Sequence, residues 1–191
     1  MSNPSYQKAV DQFVSLWGDM ASSWGINKTM SQIHALLYAQ SNPLDTDSIM
    51  KKLQISRGNA NMNLHRLLQW ELIRKENYPG DRKDYYSAET DIWNIVSTII
   101  RERQHREIVP IRAELTECIT MLEEGGLKDQ ESIDFKKRIE NYYDFLEMFE
   151  RFTEAMLPYI NKKNLNFLKQ LVKLVEVKEA LKDSVKSDKS I

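Results

Sequence analysis

Only Gln54 and Ile55 stand between two stretches that each read as a helix, and so short a joint leaves few ways to pack them. The first stretch runs from about Asp47 to Leu53, with Thr46 placed to cap it. The second opens at Ser56, whose hydroxyl suits an N-cap, and continues to about Trp70. Two helices joined by so tight a turn form a helix-turn-helix. Beyond them, Leu72 to Glu76 and Asp84 to Ala88 are short and partly β-prone, and Pro79-Gly80-Asp81 between them is turn chemistry. This predicts a β-hairpin with Arg82 and Lys83 at its tip, the wing of a winged helix-turn-helix.

The flanks are helical in pattern. Val10, Phe13, Val14, Trp17, Met20, Ala21 and Trp24 recur in steps of three and four, which predicts an amphipathic helix ended by Gly25. Thr29 with Gln32 reads as a capping box for a second helix carrying Ile33, Leu36, Leu37 and Ala39. After the hairpin, Ile92, Ile95, Val96, Ile99 and Ile100 start a long helix that Pro110 must kink or interrupt. A stretch with Leu115, Ile119 and Leu122 ends near Gly125-Gly126. The next helix spaces Phe135, Ile139, Tyr142, Leu146 and Phe149 by fours and threes, the pattern of helix-on-helix packing. These five residues are the expected dimer seam. A last helix holds Leu165, Leu168, Leu171, Val172, Val175 and Leu181, and residues 184–191 are polar.

Net charge over the whole chain is −1, but its distribution is uneven. Residues 49–83 carry eight basic and three acidic side chains, while the segments on either side are acidic. No acidic residue lies between Leu53 and Trp70. With Leu64 at the centre of the buried face, Ala60, Leu67 and Leu68 fall on its side at 100° per residue. Gly58, Asn59, Met62, Arg66 and Gln69 fall opposite, with Asn63 and His65 flanking them. Asparagine can pair two-pronged with adenine and arginine with guanine. Ser56 and the free amides of the first turn suit a phosphate. Lys51 and Lys52 on the preceding helix suit backbone phosphates, which supply affinity and not sequence choice. Arg82 at the hairpin tip suits a narrow minor groove.

Several spaced blocks agree in order with one family. Residues 56–64 (Ser-Arg-Gly-Asn-Ala-Asn-Met-Asn-Leu), 70–74 (Trp-Glu-Leu-Ile-Arg), 79–86 (Pro-Gly-Asp-Arg-Lys-Asp-Tyr-Tyr) and 89–93 (Glu-Thr-Asp-Ile-Trp) resemble the GbsR-type regulators, a branch of the MarR-like winged-helix proteins. Trp24-Gly25 and Arg106 to Pro110 are also similar, and Lys28 departs from the pattern. The resemblance covers about residues 10–115. It implies a cytoplasmic dimeric regulator, usually a repressor, that responds to a small molecule; the named branch is linked to choline and glycine betaine. It implies DNA-contact roles for Ser56, Arg57, Asn59, Asn61, Met62, Asn63 and Arg66 in the helix, and for Gly80, Arg82 and Lys83 in the wing.

Other chemistry finds little footing. His34, His65 and His105 lack partners at metal-ligand spacing, and no phosphate loop or catalytic constellation appears. No enzyme activity, cofactor or metal is expected. Cys118 sits near an apolar stripe, which predicts a buried inert thiol and, with no second cysteine, a cytoplasmic protein. No membrane span or secretory leader is expected. The aromatics Trp17, Trp24, Trp93, Tyr142, Tyr143, Phe145, Phe149 and Phe152 fit helix packing better than a cage for a quaternary ammonium.

The expected fold is therefore mainly α with a small β-hairpin wing, plus a helical dimerisation region. Residues 1–26 form a helix packing with that region, 27–90 the DNA-binding domain, 91–183 the dimerisation and effector region, and 184–191 a disordered tail. The expected partners are a palindromic double-stranded operator, a second copy of the chain and a small-molecule effector. The alternative is a winged-helix module that binds protein and no DNA.

Overall fold

The computed structural model describes residues 3–127, 129–161, 170 and 173. The helix expected over Leu165 to Leu181 and the tail 184–191 lie outside the described residues. The chain divides between Ile99 and Ile100 into two compact units.

In the first unit, α1 (Pro4–Ser23) and α2 (Lys28–Tyr38) pack together, followed by a two-residue strand β1 (Leu44–Asp45), α3 (Thr46–Leu53), α4 (Arg57–Gln69), and the hairpin β2 (Ile73–Asn77) and β3 (Asp84–Ala88). A further helix, α5 (Ile92–Arg103), starts here and runs across the division. The three strands form an antiparallel sheet in the order β1-β3-β2. Tyr86 faces Lys75 on one side and Leu44 on the other. The expected winged helix-turn-helix is present, with β1 as a strand that periodicity did not reveal. Two residues carry too little alternation to be read as a strand.

One core serves all these elements. Ile33, Leu36, Ile49, Leu64, Leu67, Leu72, Ile73, Tyr86 and Ile95 are buried together, with Val10 and Val14 from α1. Each such aliphatic side chain contributes about 1.5–3 kcal/mol on burial. Trp17, Phe13, Tyr38 and His34 add a ring cluster, with Trp17 stacked on His34 at 6.1 Å between centroids.

Two caps differ from expectation. The α2 cap is Asn27, whose side chain accepts from the Met30 amide at 2.9 Å, and not Thr29. The α3 cap is Asp45, which accepts from the Ser48 amide at 2.9 Å, and not Thr46. Asn and Asp cap at least as well as Thr, so the earlier residue wins in both places.

The second unit is helical. A π-helical turn (Gln104–Ile108) leads into α6 (Val109–Glu124), and α7 (Gln130–Asn161) packs back on α6. Pro110 thus falls in the first turn of α6, where its missing amide hydrogen costs nothing, and the widened π turn absorbs the mismatch before it. The buried Gln104 side chain accepts from Thr153 at 2.7 Å. Arg112 binds the carboxylate of Glu150 and the hydroxyl of Tyr143.

Cys118 is exposed, which corrects the expected buried thiol. The half-buried stripe of α6 is Arg112, Leu115, Ile119 and Leu122. Cys118 points about 80° away from the middle of that stripe at 100° per residue. No helix among the described residues is long and apolar enough to cross a membrane.

Candidate nucleic-acid interface

The joint between α3 and α4 works because Gln54 adopts a left-handed conformation, φ 54°, at the end of α3. The Ile55 amide then returns to the Met50 carbonyl at 3.2 Å, and Ser56 caps α4 by accepting from the Asn59 amide at 3.3 Å. The chain changes direction with the Ile55 and Asn59 amides bonded, and α4 leaves the turn with Ala60, Asn63, Leu64 and Leu67 buried.

The opposite face is open. Arg57, Gly58, Asn61, Met62, His65, Arg66 and Gln69 are exposed, Met62 at 50%, and Asn59 is half-buried. A Cβ at Gly58 would meet nothing within 4 Å, so packing inside the chain does not demand glycine there. Lys51 and Lys52 are exposed on α3.

Asn63 is the exception among the expected contact residues. It is fully buried, not on the flank of the exposed face. Its Nδ2 donates to the Asn59 carbonyl at 2.9 Å and to the Asn59 Oδ1 at 2.7 Å. Asn63 lies three residues from Ala60 and one from Leu64, so helix geometry turns it towards the core.

The wing tip is built around Asp81, which the sequence marks as a turn residue and not as the hub of a hydrogen-bond network. Gly80 takes φ +84°, the value a type II turn requires, and the Asp81 amide closes the turn on the Tyr78 carbonyl at 3.1 Å. Asp81 then accepts from the Lys83 amide at 3.0 Å and from the Tyr85 hydroxyl at 2.7 Å. The Tyr85 bond holds the Asp81 carboxyl below its usual range and pushes the phenol up. Tyr78 meets Tyr85 edge to face at 5.0 Å. The available signal was an aspartate two residues before Lys83 and four before Tyr85.

Cations on this surface divide into two sets. Lys83 is tied to the carboxylate of Asp45 and lies 3.8 Å from Asp47, and Arg57 is paired with Asp47. Lys51, Lys52, Arg66 and Arg82 form no ion pair among the described residues. The structure therefore places Ser56, Arg57, Asn61, Met62, Arg66, Gly80 and Arg82 at the surface, makes Lys83 an anchor of the wing, and puts Asn63 beneath the surface.

Of the expected seam on α7, Ile139 and Leu146 are buried, on the stripe that includes Tyr143 and Glu150, the partners of Arg112. Phe135, Tyr142 and Phe149 are exposed, as are Phe145, Phe152 and Tyr159.

No family model and no curated protein matches the sequence. Among solved structures, the crystal structure of a transcriptional regulator superposes with a TM-score of 0.64 at 17% identity, covering 81% of this chain and 99% of that one. A Staphylococcus aureus MepR mutant bound to an oligodeoxyribonucleotide gives a TM-score of 0.36 at 16% identity, over 76% of this chain and 99% of that one. A Lactococcus lactis ZitR mutant in apo form gives 0.33 at 21% identity, over 74% and 96%. The first of these likenesses, spanning nearly all of its counterpart, is one of fold: a winged helix-turn-helix followed by further helices.

Proposed function

We propose that this protein is a sequence-specific double-stranded DNA-binding transcriptional regulator that works as a homodimer. One observation carries the reading: α4 offers an open face without a single acidic side chain, beside a wing tip whose Arg82 is unpaired among the described residues. Polar and basic groups in that arrangement fit a major groove, with the wing reaching an adjacent minor groove. Two copies would place two α4 helices in successive major grooves, about 34 Å apart on a palindromic site. Steric exclusion of polymerase then makes the protein a repressor of the GbsR type.

The second copy docks on α7 in this reading. Phe135, Tyr142, Phe145, Phe149, Phe152 and Tyr159 repeat with heptad spacing and are all exposed. They are larger and more apolar than a solvated helix face tolerates. The first unit encloses a cavity of about 40 Å³ lined by Trp17, Trp24, His34 and Trp70 among others, which has room for a water molecule and must widen to take an effector.

The deciding experiment is selection of bound duplexes from random sequence, followed by affinity titration across salt. A recovered palindrome whose affinity falls steeply with salt through counterion release is the expected result. The competing reading, a module that binds protein and no DNA, draws on the pairing of Arg57 and Lys83 with Asp47 and Asp45. No enrichment of any duplex, with no salt-dependent binding, would decide for it.

A further inference from the structure

Asn63 buries a polar side chain under the face of α4, with its Oδ1 lacking any hydrogen-bond partner. An unsatisfied buried acceptor forfeits its hydration without a replacement bond, a cost that leucine at the same place would avoid. The two bonds that Asn63 does make go to a single residue, Asn59.

Those bonds fix two amides at once. The Asn59 backbone carbonyl can only accept, so the group of Asn63 beside it must be the NH2. That NH2 can only donate, so the group of Asn59 beside it must be the carbonyl Oδ1. The Asn59 NH2 is thereby left for the outside, and no described residue accepts from it. Asn59 stands in the first turn of α4, the part of a recognition helix that meets base edges.

We infer that Asn63 is a positioning residue that turns Asn59 into a hydrogen-bond donor and so biases base choice at one position towards guanine. The inference rests on the DNA-binding reading above. An asparagine pairing two-pronged with adenine needs its Oδ1 to accept from N6 while its NH2 donates to N7. Here Oδ1 spends one of its two lone pairs on the buried Asn63, which turns that oxygen towards the core and away from a base edge. The outward NH2 matches an edge made of acceptors, which guanine presents as N7 and O6. This narrows the sequence expectation that asparagine on this helix reads adenine.

The test is duplex selection with the full-length parent, Asn63→Leu, Asn59→Ala and Asn59→Asp, with thermal midpoints and affinity for a random-sequence duplex measured on each. In the parent, one position per half-site shows guanine enrichment that Asn59→Ala abolishes. Asn63→Leu keeps its random-duplex affinity within about twofold, because phosphate contacts set that quantity. At the same position its guanine enrichment falls several-fold and adenine rises, since the freed Asn59 amide can turn either way. Asn59→Asp keeps an acceptor for Asn63 and presents only acceptors outward, so cytosine or adenine replaces guanine. Should Asn63→Leu not fold, the Asn59→Asp profile decides. A parental base profile in Asn63→Leu or Asn59→Asp, or adenine at the Asn59-dependent position of the parent, overturns the inference. If the parent selects no duplex, the DNA-binding reading fails first and this inference falls with it. If the parent selects a site that Asn59→Ala leaves unchanged, only this inference falls.

Discussion

Lys83, in the tip loop of the wing just before β3, donates an ammonium hydrogen to the carboxylate of Asp45, which also caps α3. One carboxylate therefore joins the hairpin to the helix-turn-helix. The wing is held in place by an ion pair as well as by the two-residue pairing of β1 with β3.

Asp45→Asn separates the two duties. Asparagine caps a helix as well as aspartate, so only the charge partner of Lys83 is lost. The bond from Lys83 is the largest cause holding the Asp45 carboxyl at about 2. Its stabilising effect is present above the ordinary carboxylate value of 3.8 and is lost as pH falls towards 2. Lys83 is half-exposed, so screening trims the effect and Asn should cost about 1 kcal/mol at pH 7. Asp45→Ala also removes the cap and should cost about 2 kcal/mol. Urea denaturation at pH 7 and below pH 4 checks this; the gap between parent and Asn variant should shrink with acid.

His34 makes folding sensitive to mild acid. Burial, the dominant cause, lowers its value from 6.5 to about 4, against a hydrogen bond to the Glu89 backbone and the Glu89 charge that favour the proton. Between those values the unfolded chain binds a proton that the folded chain refuses. Stability therefore falls as pH drops from 6.5 to about 4, by about 3 kcal/mol at most. His34→Leu should flatten that part of the stability curve. An unchanged slope in denaturation from pH 7 to pH 4.5 would show that another group carries it.

The sequence made the helix-turn-helix and wing legible because each rests on local chemistry: Ser56 at a cap, Leu64 and Leu67 on one stripe, Pro79-Gly80 in a turn. It hid what depends on tertiary neighbours. β1 exists only because Leu44 and Asp45 lie beside β3. Asn63 looks like its polar neighbours in the chain, and only packing shows it facing inward. Heptad spacing on α7 was visible, but it could not separate the stripe of Ile139 and Leu146 from the exposed one running through Phe145 and Phe152.

That separation predicts opposite results on α7. Leu146→Ala opens a cavity in the second unit and should lower folding stability by about 2–5 kcal/mol. Phe145→Glu with Phe152→Glu touches no buried stripe, so monomer folding should persist while self-association and operator affinity are lost. Sedimentation velocity with circular dichroism distinguishes these outcomes. A double variant that still sediments as a dimer would place the interface elsewhere.

The two sets of cations predict two sets of phenotypes. Arg66 is exposed and free of ion pairs among the described residues, on the face proposed to enter the groove, so Arg66→Ala should relax base preference at one position and cost about 1–3 kcal/mol there. Lys52→Ala should weaken all sequences alike and reduce the salt slope by about 1, while Arg82→Ala should weaken most the sites whose minor groove is narrow. Lys83→Ala differs: the anchor to Asp45 goes, so folding stability and wing order should suffer while the salt slope changes least. Titrations of each variant on selected and random duplexes at several salt concentrations, beside urea denaturation, test the division. Arg66→Ala and Lys52→Ala that both bind a selected site as tightly as the parent would mean that α4 does not lie in the groove.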